Sequence, residues 1–581
     1  MASEVDHGST LDSSALLAAR EAPMYLRKSD TTRIYISALR WGSVFLALLV
    51  VAILLQWAGR AYSSEFSSPD ESAHLVTGLM IRDYITTGFP RAPVAFAEEY
   101  YVHYPKVAFG MWGPLLHITE GVWTLVFPTT RSGLLLLIAV IFTCTAVLLY
   151  RELVAEFGTV MALAAALGFL ITPVVQRYTG MIMADGLVAL MDFCAAMAFG
   201  RYLNTRQTRY SVWFGIFASL SILTKGNGMA LVLLPGFAIL FTRQFNILKE
   251  RSFWIGVAIV ACIAGPWQYY SAMALVGIAE RKNGWVFAFE YARHILSFLG
   301  WALLPIVLLG VYDRTIAPAR NRLADGKWVS AAALVCSVWA FHCTVPGPGA
   351  QVRYLIAVGP PMLMFLVAGI HLLARWIAVS AITPRQRGWA IAAVVITVFL
   401  TTGFSVQRKR YYGFDEVAQR LERPEYKNSV LLVSSVGEDQ DGEGMFISEI
   451  AMREKRPLHI VLRASKMLSQ SDWMGGHYKL LYNTPQEVMN FLRTMPVEIV
   501  VIHDEPGLVA DAHHKLLQQA IAEFSQEWEH MGTYPQRRAA ENGSIDVYRL
   551  KSPTNHGTGK IRIDLPYTLK RQVEFKRRGE Y

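Results

Sequence analysis

The sequence predicts a polytopic α-helical membrane protein of about eleven transmembrane helices, followed by a soluble α/β domain, and three observations carry that expectation. Composition is the first: of 581 residues, 53% are hydrophobic and only 17% charged, with a mean hydropathy of +0.30, above the usual range of soluble chains. The second is a series of apolar runs long enough to span a bilayer, near 41–59, 132–150, 157–175, 183–200, 211–224, 228–242, 253–274, 291–311, 328–345, 354–374 and 388–404. The third is a change of pattern near residue 405, where hydropathy falls and short apolar strands alternate with amphipathic helices.

The charge orients these elements. The net +10 is spread over short loops and not gathered in a patch, so it argues for a positive-inside orientation and against nucleic acid as a partner. Arg27, Lys28, Arg33 and Arg40 precede the first run. Further groups, such as Arg201, Arg206 and Arg209, then Arg314, Arg320, Arg322 and Lys327, fall on alternate loops, which are therefore expected in the cytoplasm. Residues 1–40 read as a cytoplasmic amino-terminal segment without a cleaved signal peptide, and the first helix as a signal anchor. The loops holding Asp70, Asp185 and Arg353, and the whole carboxy-terminal region, are then expected on the opposite face. Cys144, Cys194, Cys262, Cys336 and Cys343 all lie in or beside apolar runs, which predicts neither a disulfide framework nor a thiolate metal site.

The chain divides into the segment 1–40, a membrane domain 41–404 with a large loop 60–130, an α/β domain 405–552 and a basic tail 553–581. So long a loop should carry structure of its own. Ala73, Val76, Met80 and Tyr84 recur at helical spacing against Glu71, Ser72, Arg82 and Asp83, which predicts a helix along the interface. Its expected partner is the stretch 110–128, with Trp112 and Trp123 as headgroup anchors. In the last domain, Val430–Ser435, Glu498–His503 and the runs starting at His459, His477 and Ile545 read as strands. Residues 443–454, 485–494 and 511–531 read as helices between them, on a parallel or mixed sheet.

The chemistry begins at Ser67 to His74, SSPDESAH, where two adjacent acids stand at a membrane surface. Asp70 there is placed to deprotonate an acceptor hydroxyl. The same residues also make a helix start, with Ser68 as N-cap, Pro69 at the first position and Glu71 closing a capping box, so that Glu71→Gln is expected to be mild. His74, His103 and His117 share the loop without the close spacing of a zinc site, so no metal is expected there. Asp439, Asp441 and Glu443 alternate after the first strand. Ile450 stands where a calcium loop needs its last glutamate, which leaves a solvated turn. Lys225 lies between short apolar runs and is either buried against an acid or pointed at headgroups.

Four stretches on one predicted face occur together: PDESAH, VHYPKVAFGMWGPLLH, MADGLVALMDFCAAMAFGRYL, and LTKGNG with the later Gly265-Pro266-Trp267. Over residues 40 to 375 the chain thereby resembles the GT-C glycosyltransferases, in the branch of protein O-mannosyltransferases and aminoarabinose transferases that use polyprenyl-phosphate sugars. Lys106 and Val107 depart from that family's Pro-Leu. The resemblance implies a GT-C-like fold and an inverting transferase with a polyprenyl-phosphate sugar donor, in the lipid bilayer. The acceptor would be a glycan, lipid or protein hydroxyl on the extracytoplasmic face, as at a bacterial inner membrane. It implies Asp70 as catalytic base beside Glu71, and Asp185 as a second carboxylate orienting the acceptor or a divalent cation, the only cofactor left open. Lys225 and Arg353, the latter in an Arg-Tyr-Leu start with Tyr354, would hold the phosphate. His74, His103 and Lys106 would contact sugar or phosphate. The alternative is a transporter or lipid flippase with an extracytoplasmic binding domain. Against it, no paired halves are evident and the acids lie in loops, away from the bilayer midplane.

Overall fold

The computed structural model describes residues 39–564 and 572–576, apart from 67, 109, 276–283, 321–323, 346–348, 378–382, 410–411, 428, 438–440, 472–476, 536–542 and 553–559. Arg27, Lys28, Arg33, Ser67, Arg322, Asp439 and most of the basic tail lie outside the described residues.

Every apolar run is helical. The first helix, α1, is Leu39–Ala58. The loop that follows carries α2 (Pro69–Thr86), α3 (Pro93–His103) and α4 (Leu115–Val126). Two runs form α5 (Arg131–Ile171), two helices in succession that meet at a kink where Gly158 leaves the helical conformation at φ 80° and ψ 168°, which favours glycine. Then come α6 (Pro173–Thr179), α7 (Asp185–Thr205), α8 (Thr208–Thr224), α9 (Leu234–Thr242), α10 (Arg251–Ile263) and α11 (Gly265–Leu275). The membrane part closes with α12 (Ala288–Leu296), α13 (Leu304–Val311), α14 (Ala317–Arg320), α15 (Gly326–Thr344), α16 (Gly359–Trp376) and α17 (Pro384–Thr402).

By length and composition, four described helical stretches can cross a membrane: Leu39–Ala58, Arg131–Ile171, Asp185–Thr205 and Val352–Trp376. Six do so if the pairs bent by 43° after Ile263 and by 71° after Leu296 each count once. The apolar runs predict eleven; the two runs within α5 count once, and breaks shorten several of the others. Pro235, Pro266 and Pro305 each stand at the second residue of a new helix, where the missing N–H costs nothing but the preceding helix cannot continue.

Beyond α17 the chain forms α18 (Phe414–Leu421), β1 (Val430–Ser435), α19 (Asp441–Arg453), β2 (Ile460–Arg463), α20 (Ala464–Met467), β3 (Ser469–Gln470), β4 (Lys479–Leu480) and α21 (Pro485–Thr494). After these come β5 (Ile499–Asp504), α22 (Ala512–Glu523), β6 (Trp528–Pro535), β7 (Ser544–Leu550), β8 (Lys560–Asp564) and β9 (Gln572–Lys576). The five-stranded sheet has the order β2-β1-β5-β7-β6; β1 is parallel to both neighbours, and β7 antiparallel to both of its own. Two expectations need correction. The run from His477 supplies only a two-residue strand in a separate ribbon with β3. The helix expected to reach Met531 stops at Glu523, because Trp528–Pro535 pairs along β7 as the sheet edge. In the tail, β8 and β9 pair as an antiparallel ribbon.

The sheet is docked on the membrane part. On β1, Leu431 and Val433 join a continuous apolar core with Phe414, Phe446, α2 and the membrane helices, while Val430 and Leu432 pack with α21 and α22 on the other side. Specific polar contacts accompany this. Arg131 pairs with Glu449 at 2.6 Å, Glu65 accepts from Tyr412 N (2.9 Å) and Gly413 N (2.7 Å), and the Tyr104 hydroxyl donates to Glu454. Docking also changes the reading of α2. Its predicted water-facing residues Glu71, Ser72, Arg82 and Asp83 are all buried, because α19 covers this helix while α4 packs against it. It is an internal helix, enclosed by the protein itself.

Candidate active site

The amino-terminal turn of α2 sets the site. Ser68 is extended and Pro69 opens the helix as expected, but the capping box does not form: the Ser68 side chain makes no cap bond. Glu71 instead crosses to other segments, accepting from Ile182 N at 2.8 Å and from Lys409 Nζ at 3.1 and 3.2 Å. Both side chains are buried, and burial pushes the Lys409 ammonium below its usual value while Glu71 opposes that shift. Glu71→Gln is therefore expected to cost about 3–5 kcal/mol, because it strands a buried ammonium. A falling unfolding midpoint in detergent, largely restored in Glu71→Gln/Lys409→Met, is the check. An unchanged midpoint would mean that the Glu71–Lys409 pair adds nothing to folding.

Asp70 points the other way. Its Oδ2 lies 2.9 Å from Arg353 Nη2, in the 3-10 turn Val352–Val358 that leads into α16. Asp185, the first residue of α7, receives Lys225 Nζ at 3.0 and 3.1 Å, and both partners are buried. Lys225 stands at the break between α8 and the turn Gly226–Val232, so it is held by an acid rather than by headgroups. Tyr354 joins the two pairs: Lys225 Nζ lies 5.0 Å and the Arg353 guanidinium 5.4 Å from its ring centroid. That ring stacks on His342 at 5.2 Å, which stacks on Tyr291 at 4.9 Å, so the aromatic floor is fixed from α12 and α15. Arg353 also feels the Asp185 charge. Two cations and two carboxylates from four distant segments thus surround one ring.

His74 belongs to the same neighbourhood. It is fully buried, its Nδ1 lies 2.9 Å from His117 Nε2, and its ring sits 4.4 Å from that of Trp112. Burial first, then His117, Lys225 and Arg353, hold its pKa well below the usual histidine value. Burial likewise lowers His117 to about 4, so both rings are neutral at physiological pH. His103 and Lys106 turn towards the sheet. His103 Nδ1 lies 2.9 Å from His459 O, and a Cβ on Gly444 would stand 2.8 Å from Lys106 Cε. Among the described residues, no group of three or more His, Cys, Asp and Glu is placed to hold a metal ion.

The sequence reading missed Lys409, the Ile182 N–H and the His342–Tyr291 stack. Lys409 stands in a basic run after the last apolar segment, which looks like any positive loop flank. Nothing in spacing marks a backbone amide as a carboxylate partner.

Comparison with known proteins places this geometry in context. The profile of the dolichyl-phosphate-mannose-protein mannosyltransferase family matches residues 114–270, a stretch that includes Asp185 and Lys225. No curated protein sequence matches the chain. Among solved structures the chain is similar to ArnT from Cupriavidus metallidurans in the apo state, at 14% identity and a TM-score of 0.53, covering 88% of this chain and 98% of that one. It is similar also to ArnT bound to undecaprenyl phosphate, at 14% identity and a TM-score of 0.51, covering 89% and 99%. Such shares exceed the residues up to 404, so the likeness runs past the stretch 40–375 into the carboxy-terminal domain. The chain has the GT-C fold and, within it, resembles the branch of the protein mannosyltransferases and ArnT.

Proposed function

We propose that the protein is an inverting membrane glycosyltransferase, moving one sugar from a polyprenyl-phosphate donor to a hydroxyl of a glycan, lipid or protein acceptor on the extracytoplasmic face. The observation that carries this reading is the pairing of Arg353 with Asp70 and of Lys225 with Asp185 around Tyr354. A phosphodiester anion entering there meets both cations and displaces Asp70 from Arg353. The sugar C1–O bond to phosphate then breaks, with its electron pair left on a phosphate oxygen that Lys225 and Arg353 stabilise. The acceptor oxygen bonds C1 from the opposite side and gives its proton to the released Asp70. Asp185 positions Lys225, Tyr354 spaces the cations, and Glu71 anchors the start of α2. His103 and Lys106 shape the junction with the sheet. The family match and the undecaprenyl phosphate bound in ArnT support the donor class.

In this reading residues 1–40 are cytoplasmic, 41–404 catalytic, and 405–552 with the tail 553–581 extracytoplasmic, at a membrane such as the bacterial inner membrane. The test is to incubate the purified chain with radiolabelled undecaprenyl-phosphate sugars and follow donor consumption. Solute flux in liposomes without sugar transfer would favour a transporter instead. The orientation has its own test, by single cysteines in a cysteine-free background. Cysteines at the exposed positions Ala95 and Gln519 are expected to react with an impermeant reagent outside intact cells, and those at the exposed Thr208 and Asn246 to stay protected. The reverse pattern would overturn the orientation.

A further inference from the structure

His74 holds a buried nitrogen that no described residue uses. One helical turn after Asp70, it shares that residue's face of α2, and its Nε2 is enclosed without a hydrogen-bond partner among the described residues. Such a group is costly to leave unmade and calls for an explanation. The charges that act on it beyond its own pair are those of Lys225 and Arg353. Between two neutral rings, one nitrogen of the 2.9 Å His74–His117 contact must donate. If His117 Nε2–H donates to His74 Nδ1, the remaining His74 proton sits on Nε2. Beside a bound anion that tautomer is favoured, since the opposite one would aim a lone pair at negative charge.

Resting on the polyprenyl-phosphate reading above, we infer that His74 Nε2–H is a third hydrogen-bond donor to the donor's phosphate, and that His117 is the positioning residue that fixes its tautomer. The donor is a phosphodiester with one negative charge. The product is a monoester whose second ionisation lies near pH 6, so its charge approaches −2. As the C1–O bond breaks, the electron pair stays on the phosphate oxygen, the acceptor oxygen takes C1, and the acceptor proton passes to Asp70. His74 keeps its own proton throughout. Its hydrogen bond strengthens as charge builds on the leaving group, which lowers the barrier more than it aids donor binding.

The test compares the affinity of the purified chain for undecaprenyl phosphate with that for a non-hydrolysable phosphonate analogue of the donor. His74→Phe is expected to weaken undecaprenyl phosphate by about tenfold or more and the analogue by about two- to threefold, with kcat falling more than KM rises. His74→Gln, whose amide reaches near the Nε2 position, should recover part of the difference, and His117→Phe should shift the ratio in the same direction by less. Should His74→Phe not fold, His74→Asn, whose amide reaches only the Nδ1 position, makes the same comparison. Equal weakening of both ligands, or none, in a folded variant overturns the role of His74. Failure of the parent chain to bind either lipid would instead overturn the donor assignment.

Discussion

Asp70→Asn is expected to bind undecaprenyl phosphate more tightly than the parent while its turnover falls by about 10²–10⁴. The two effects have opposite signs because Asp70 has two successive tasks. Before the donor arrives, its carboxylate occupies Arg353 at 2.9 Å and competes with the incoming phosphate. Asparagine keeps the size of the side chain and removes that competitor. The pair is partly exposed, so its net worth is about 0–1 kcal/mol, and the gain in affinity should be up to about fivefold. Asparagine cannot accept the acceptor proton, and the chemical step is lost. Lipid-phosphate binding by the purified variant, read beside its donor turnover, makes the measurement. Near-normal turnover would return Asp70 to a structural place at the helix start. Weaker lipid binding would mean that the carboxylate does not compete for Arg353.

Loss of the phosphate cations is the second large effect. Arg353→Met should reduce donor affinity, turnover or both by at least about tenfold, which corresponds to about 1.4 kcal/mol. Asp70, left behind, remains partly hydrated and folding should persist. Lys225→Met cannot be read so simply. Its partner Asp185 is buried, and an abandoned buried carboxylate costs about 3–5 kcal/mol, so the single variant mixes folding with function. Lys225→Met/Asp185→Asn removes both charges and restores neutrality. It should fold near the parent midpoint and still lose donor affinity at least about tenfold. Combining that pair with Arg353→Met should be less damaging than the product of the separate losses, because both cations act on one phosphate charge. Parent-like use of the donor by Arg353→Met and by the neutral pair would leave these cations as structural groups.

Much of the candidate site was legible before any tertiary contact was known, although not its wiring. Asp70, Asp185, Lys225 and Arg353 could be singled out because a charged residue at the edge of an apolar run is expensive and needs a reason. Which acid meets which base could not. Glu71 shows the difference most clearly. Its sequence neighbours supply a complete capping pattern, yet the side chain takes Ile182 and Lys409 instead, because burial under α19 makes a charged partner more necessary than a helix cap. The same cover turned a helix with two-sided patterning into an internal one.

The sequence by itself determined that this is an apolar, helical chain with a change of architecture near residue 405, since composition and period are local properties that every window of the chain displays. It also determined which residue types stand at the mouths of the helices. The tertiary structure alone decided the Asp70–Arg353 and Asp185–Lys225 pairs, the shared ring of Tyr354, the His74–His117 contact and the docking of the sheet over α2. Each of these joins segments far apart along the chain. A buried polar group chooses its partner by distance and direction in the folded state, and neither quantity is written in the order of the residues.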